Sequence, residues 1–225
     1  MSSVAPFHIL QDGPTSRQKH PHEDFSQHQQ LEARLRKTVR GEVRFDAGSR
    51  ALYATDASNY RQVPIGLVVP RDIDDVIATV AACREFDAPV LSRGGGTSLA
   101  GQCCNVAVVM DFSKYMNGIV EMDPANRFAR VQPGIVLDAL RDASERHELT
   151  FAPDPATHSR CTLGGMIGNN SCGVHALMGG KTVDNIERST SCCTTAHACA
   201  SEKPVRPSWK RSSRRVAVAV PSTPV

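Results

Sequence analysis

Aromatic residues are scarce: they make up 5% of the 225-residue chain, with a single tryptophan. So thin a supply excludes a platform of stacked rings for single-stranded nucleic acid. No apolar run approaches the roughly 18 residues that cross a bilayer, so no transmembrane segment is expected. Met1 to Leu10 has neither a basic start followed by an apolar stretch nor a twin arginine, and no secretory signal is expected there. Charge of one sign is also lacking. The net charge of +3 is too small to argue for nucleic acid as a partner. The eight cysteines lack the repeated, closely spaced pairs of a zinc site. Cys103-Cys104 and Cys192-Cys193 are adjacent, a poor geometry for bridging. The cysteines therefore read as reduced thiols of a cytoplasmic protein without a metal.

What remains is ordinary globular composition, 40% hydrophobic and 22% charged, enough for one domain or two small lobes. Residues 1–24 mix Pro, Ser, Gln, His and charge without apolar periodicity and read as a disordered N-terminus. Residues 25–62 read as a helix and lead-in, with Leu31, Leu35 and Val39 at helical spacing and Gly41 as the stop. Regular structure is expected in earnest from Pro64. A strand at 65–69 is followed by a helix capped by Asp72 and carrying Ile73, Val76, Ile77 and Val80. Strands at 89–92 and 106–111 complete a βαβ unit, so 63–112 forms a first lobe. Residues 113–187 form a second lobe. Its hairpin turns at Asp123-Pro124-Ala125-Asn126, Pro133-Gly134 breaks the second strand, and a helix covers 135–148. Residues 154–185 form a long stretch rich in Gly, Asn, Ser, Thr and Pro, a length usually functional in a compact domain.

Two segments carry chemistry. After the second strand comes Ser92-Arg93-Gly94-Gly95-Gly96-Thr97-Ser98-Leu99-Ala100-Gly101-Gln102. Glycines there free the backbone for positive φ and close approach to a ligand, and successive N–H groups can cradle an anion such as a pyrophosphate. No Gly-Lys-Ser/Thr follows, and the pattern is not Gly-x-Gly-x-x-Gly, so neither a Walker nor a Rossmann loop fits. The second segment runs Pro153-Asp154-Pro155, then Cys161-Thr162-Leu163-Gly164-Gly165-Met166-Ile167-Gly168-Asn169-Asn170-Ser171-Cys172-Gly173. Small residues and amides beside an apolar face suit a planar, hydrogen-bonding cofactor.

Both segments, in this order and with a hairpin and helix between them, resemble the FAD-linked oxidases of the vanillyl-alcohol oxidase or p-cresol methylhydroxylase (PCMH) type. Within that family the chain is most similar to the D-lactate dehydrogenase and glycolate oxidase branch. Gly179-Gly180-Lys181-Thr182-Val183-Asp184-Asn185 looks like the stretch that follows there. The resemblance covers residues 30 to 187. It implies an α+β fold, a two-lobed PCMH-type FAD-binding domain incomplete at its C-terminal side. It implies that Arg93, Gly94, Gly95, Gly96, Thr97, Ser98 and Leu99 wrap the FAD pyrophosphate, with Gln102 also binding the cofactor. Pro133, Gly134, Pro153, Asp154, Pro155, Thr162, Gly164, Gly165, Gly168, Asn169, Asn170, Cys172 and Gly173 would line the rest of the cofactor. Thr97 stands where one class of relatives attaches flavin through a histidine, so non-covalent FAD is expected, with His158 and Cys172 as the alternative attachment points. The implied parent reaction oxidises a D-2-hydroxyacid of lactate or glycolate type to a 2-oxoacid and passes electrons to an acceptor partner. The family's substrate-cap histidines have no counterpart here, so the catalytic residues are unknown. A remnant that binds FAD without turnover is the alternative.

From Arg188 the character changes. Ser, Thr, Pro, Arg, Lys and Ala dominate, and Glu202 is the tail's only acidic residue. A buried strand is not expected from Arg188-Ser189-Thr190-Ser191-Cys192-Cys193, so 188–225 reads as a disordered tail, out of frame or decayed, patterned only at Val216-Ala217-Val218-Ala219-Val220. Its rival is a genuine basic tail, with Lys210-Arg211-Ser212-Ser213-Arg214-Arg215 on an anionic surface. Sequencing the gene separates the two, since a shifted frame would encode an apolar strand.

Overall fold

The structure, a computed structural model, describes residues 26–192, 198–202 and 217–219. The expected disorder of 1–24 and the basic run at 210–215 lie outside these residues.

The first lobe is a four-stranded sheet in the order β1-β2-β4-β3, with helices packed on it. Helix α1 (His28–Thr38) buries Leu31 and Leu35, the two positions its periodicity points inward. Strand β1 (Glu42–Arg44) pairs antiparallel with β2 (Gly66–Val69), and the short helix α2 (Ala47–Leu52) is capped by Asp46. Neither β1 nor α2 was expected. At three and six residues they are too short to show a period, and they are held by tertiary contact. Strand β2 is buried along its whole length, as a central parallel strand must be. Helix α3 (Ile73–Glu85) starts at Asp72, whose carboxylate accepts the Asp75 amide at 3.1 Å. It leads to β3 (Val90–Arg93), which runs parallel to β4 (Val108–Asp111) at the sheet's edge. Leu31, Leu35, Val39, Val43, Val68, Val76, Val108 and Met110 share one core. The N-terminal helix and β1 thus belong to this lobe physically. Each such side chain contributes about 1.5–3 kcal/mol by leaving water.

The second lobe has its own core, with Val131, Leu137, Leu140, Phe151, Leu163 and Met166 at its centre. Strands β5 (Ile119–Asp123) and β6 (Phe128–Val131) form the hairpin, and α4 (Leu137–Glu145) follows. The long 154–185 stretch is organised as α5 (Leu163–Asn169), α6 (Ala176–Gly179) and a 3-10 turn at Thr182–Asn185.

The tail departs from expectation. Strands β7 (Ile186–Cys192), β8 (Ala198–Glu202) and β9 (Ala217–Ala219) complete a sheet in the order β5-β6-β9-β7-β8. The polar run that argued against a strand forms one because β9 and β8 pair with it on either side and satisfy its backbone. It is not a buried strand: of its side chains Ile186 is buried, whereas Glu187 and Ser191 are exposed.

Candidate functional site

The site is built where the lobes meet, and its first wall is the loop leaving β3. Gly96 (φ 65°) and Gly101 (φ 76°) take the left-handed conformation that L side chains resist. A Cβ at Gly96 would also lie 2.6 Å from the Arg93 guanidinium, which is folded beneath the loop. That guanidinium donates to the Cys103 carbonyl at 2.9 Å and sits 5.3 Å from the centre of the Tyr53 ring. Arg93, expected on the pyrophosphate, is therefore a brace that closes the loop on itself.

The lead-in supplies the other supports, which the sequence left unassigned. The Ala57 amide donates to the Gly96 carbonyl at 3.0 Å, and the Cys103 amide donates to the Asp56 carboxylate at 3.2 Å. The Tyr53 hydroxyl donates to Asp111. Burial first, then that bond, pushes the phenol pKa well up, so it stays a donor. Burial raises the Asp56 carboxyl, but hydrogen bonds from Ser58 and the Cys103 amide outweigh it and hold the pKa below the ordinary carboxylate value. With its frame held this way, the loop leaves a row of amides unused. The N–H groups of Gly94, Gly95, Gly96, Thr97 and Leu99 donate to no protein acceptor among the described residues. Ser98 is spent internally, its hydroxyl on Gln102.

The second wall comes from 133–137 and 161–168, which run side by side. The Gly164 amide donates to the Pro133 carbonyl (2.8 Å), the Leu163 amide to Ile135 (2.9 Å) and the Leu137 amide to Cys161 (3.1 Å). Gly134 is buried, and a Cβ there would lie 2.0 Å from the Phe112 carbonyl oxygen, so its role is to let the lobes approach. The two walls touch. A Cβ at Gly94 would lie 1.9 Å from the buried Thr162 hydroxyl, and one at Gly95 would lie 2.2 Å from the Arg160 carbonyl oxygen.

Between the lobes lies a cavity of about 1000 Å³. Its polar end is lined by Arg93, Gly94, Gln102, Pro133, Thr162, Gly164, Gly165, Gly168 and Asn169. Its apolar end takes Ile73, Ile77, Val80, Val90, Phe112 and Met116, with Arg84 among them. A Cβ at Gly168 would meet nothing within 4 Å, so helix α5 presents a bare backbone face.

Other residues expected at the cofactor are not among those that line this cavity. Gly95, Gly96, Thr97 and Leu99 continue the loop from Gly94 at the cavity's edge, with Leu99 79% exposed, while Ser98 is buried. Pro153 is buried, its carbonyl accepting from Arg141 at 3.2 Å, and Pro155 opens a turn closed by the His158 amide at 2.9 Å. Asp154 accepts the His175 amide at 3.3 Å and pairs with its Nδ1, and Gly173 packs where any Cβ would strike the Asp154 carbonyl. Burial raises the Asp154 carboxyl; the His175 hydrogen bonds and charge, with Arg141, bring the net shift below the ordinary value. Asn170 caps α5 in the left-handed conformation, its side chain accepting the Val183 amide at 3.0 Å. Cys172 is exposed, and His158 faces Asp138 at 2.7 Å. Asp154, Asn170 and Gly173 are thus packing residues of the second lobe, with hydrogen bonds committed locally. Among the described residues no group of three or more His, Cys, Asp or Glu is placed to hold a metal.

Comparison with known proteins gives a consistent picture. The family model described as FAD binding domain matches residues 64–194, more than half of the chain. D-2-hydroxyglutarate dehydrogenase of Pseudomonas putida is 40% identical over 159 residues, covering 69% of this chain and 16% of that protein. Glycolate oxidase subunit GlcD of Escherichia coli is 37% identical over 131 residues, covering 57% of this chain and 26% of that protein. Among solved structures, an alkyldihydroxyacetonephosphate synthase superposes with a TM-score of 0.68 at 18% identity, over 78% of this chain and 38% of that one. The 6-hydroxy-D-nicotine oxidase of Arthrobacter nicotinovorans gives 0.65 at 22%, over 73% and 36%. The chain therefore spans about a sixth and a quarter of the length of these two sequence relatives.

Proposed function

Because this chain belongs to the FAD binding domain family, with the two-lobed fold of the vanillyl-alcohol oxidase and PCMH type, we propose that the interlobe cavity seats FAD non-covalently. The row of undonated amides at Gly94, Gly95, Gly96 and Thr97 carries this reading. A diphosphate needs donors that cost no rearrangement, and these amides are fixed by the braces at Arg93, Asp56 and Ala57. The bare face of α5 at Gly165 and Gly168 would admit a flat ring, and Gln102 and Asn169 supply polar contacts beside it. The apolar end of the cavity would offer an apolar surface to whatever lies there.

FAD, when bound, would supply the acceptance of a hydride or electron pair. The residues described here hold and orient it. The parent reaction we propose for the whole protein is oxidation of a D-2-hydroxyacid to a 2-oxoacid, with electrons passed to a separate acceptor. Relatives named for D-2-hydroxyglutarate and glycolate support this class. No helix among the described residues is long and apolar enough to cross a membrane.

The test is flavin content. Protein purified after supplementation with FAD is expected to be yellow and to release all of its flavin on acid precipitation. Colourless protein would sink the FAD reading, and flavin retained in the precipitate would sink the non-covalent one. Dye reduction by D-2-hydroxyglutarate, D-lactate or glycolate then separates an oxidising protein from one that binds without turnover.

A further inference from the structure

A diphosphate brings two negative charges, and amides answer them only with dipoles. The cation inside the glycine motif is not available. Arg93 is bound to the Cys103 carbonyl, lies over Tyr53, and acts electrostatically on the Asp56 carboxylate. A second arginine stands on the facing wall. The backbone of Arg160 touches the glycine loop, its carbonyl 2.2 Å from where a Gly95 Cβ would be.

The turn carrying Arg160 is fixed at both ends. Its amide and that of Cys161 each donate to the Thr157 carbonyl at 2.8 Å. The neighbouring His158 is held by both oxygens of Asp138, at 2.7 and 2.9 Å, so that carboxylate is already engaged. Arg160 itself is exposed, and its guanidinium makes no hydrogen bond or ion pair among the described residues. An arginine side chain reaches roughly 6 Å from its Cα, by ordinary bond lengths. The glycine loop at Gly95, which the Arg160 backbone already touches, lies within that sweep.

We infer that Arg160, not Arg93, supplies the counter-charge for the diphosphate, closing over it from the second lobe while the glycine amides hold it from the first. The inference rests on the FAD reading above. It makes the diphosphate a group that both lobes grip, with a dipole wall on one side and an exposed cation on the other.

The experiment measures dissociation constants of the full chain for FAD, ADP and adenosine by titration calorimetry. Arg160→Gln is expected to weaken FAD and ADP about tenfold, the loss of one charge-assisted pair, and to leave adenosine unchanged. Arg160→Lys should keep most of the affinity. Because the side chain is exposed, the urea midpoint of ligand-free protein should not move in either variant. Arg146→Gln, which removes an exposed arginine at the end of α4 that does not line the cavity, should bind all three ligands like the parent. Raising salt should weaken the parent more than Arg160→Gln. A parent that binds no FAD would overturn the cofactor reading and this inference together. A parent that binds while Arg160→Gln binds equally well would overturn the inference alone. An equal loss in Arg146→Gln would also overturn it, as an effect of net charge alone.

Discussion

The two glycine-bearing stretches look alike in sequence and do opposite work. In the loop after β3, glycines open the backbone: Gly96 and Gly101 adopt positive φ, and successive amides donate to no acceptor among the described residues. In the second stretch, Gly164 and Gly173 close it. Each lets one segment press on another, Gly164 on Pro133 and Gly173 on Asp154, and the Gly164 amide is consumed by the Pro133 carbonyl. Gly168 alone of that set meets open space. The comparison teaches that a glycine motif marks close approach without saying whether a ligand or another piece of protein does the approaching.

Substitutions can break this distinction. The largest effect is expected at Gly94, where both kinds of work coincide. Gly94→Ala would drive a methyl to 1.9 Å from the buried Thr162 hydroxyl, costing about 1–3 kcal/mol by overpacking and abolishing measurable FAD binding as the walls part. A Gly94→Ala/Thr162→Ala double variant should recover part of the urea stability, since the nearest clashing atom is gone, and additive losses would refute the contact.

Next, the depressed carboxylate at Glu42 tests the first lobe. Hydrogen bonds from Lys114, then Tyr115 and Arg44, hold its pKa at about 2. An unfolded Glu titrates near 4.3. The carboxylate therefore contributes stability that is complete above about pH 4.3 and is lost as pH falls through about 2. Discounted for solvent screening, the contribution is about 1 kcal/mol. Chemical denaturation at pH 3 and pH 6 should show about half of that contribution in the parent and a smaller difference in Glu42→Gln. An equal pH dependence in the two would refute the assignment.

The smallest and most diagnostic effect is at Gly168. Ala at this helical position should raise the stability of ligand-free protein by about 0.5–1 kcal/mol, because nothing is struck and helix propensity improves. The same change should weaken FAD, whose ring would lose its flat bed. Improved stability with unchanged FAD affinity would move the ring elsewhere.

Much of this was legible beforehand. The Asp72 cap, the apolar stripe of α3, the buried run of β4 and the turn at 123–126 each follow from local chemistry, and the glycine loop follows from its place after β3. The supports were not legible. Tyr53, Asp56 and Ala57 have no period, and their partners Asp111, Cys103 and Gly96 stand some forty to sixty positions along the chain. For the same reason Arg93 read as a ligand for phosphate: its sequence neighbours are glycines, whereas its spatial neighbours are Tyr53 and the Cys103 carbonyl. Strand β7 failed on composition because its pairing, not its side chains, makes it a strand.

The bond from the Gly164 amide to the Pro133 carbonyl sits on the seam where the second lobe folds back toward the cavity. Its proton is therefore a built-in gauge. In deuterated solvent its exchange rate reports how often the seam parts, and a guest that pulls both lobes together should slow that rate without touching the amide itself.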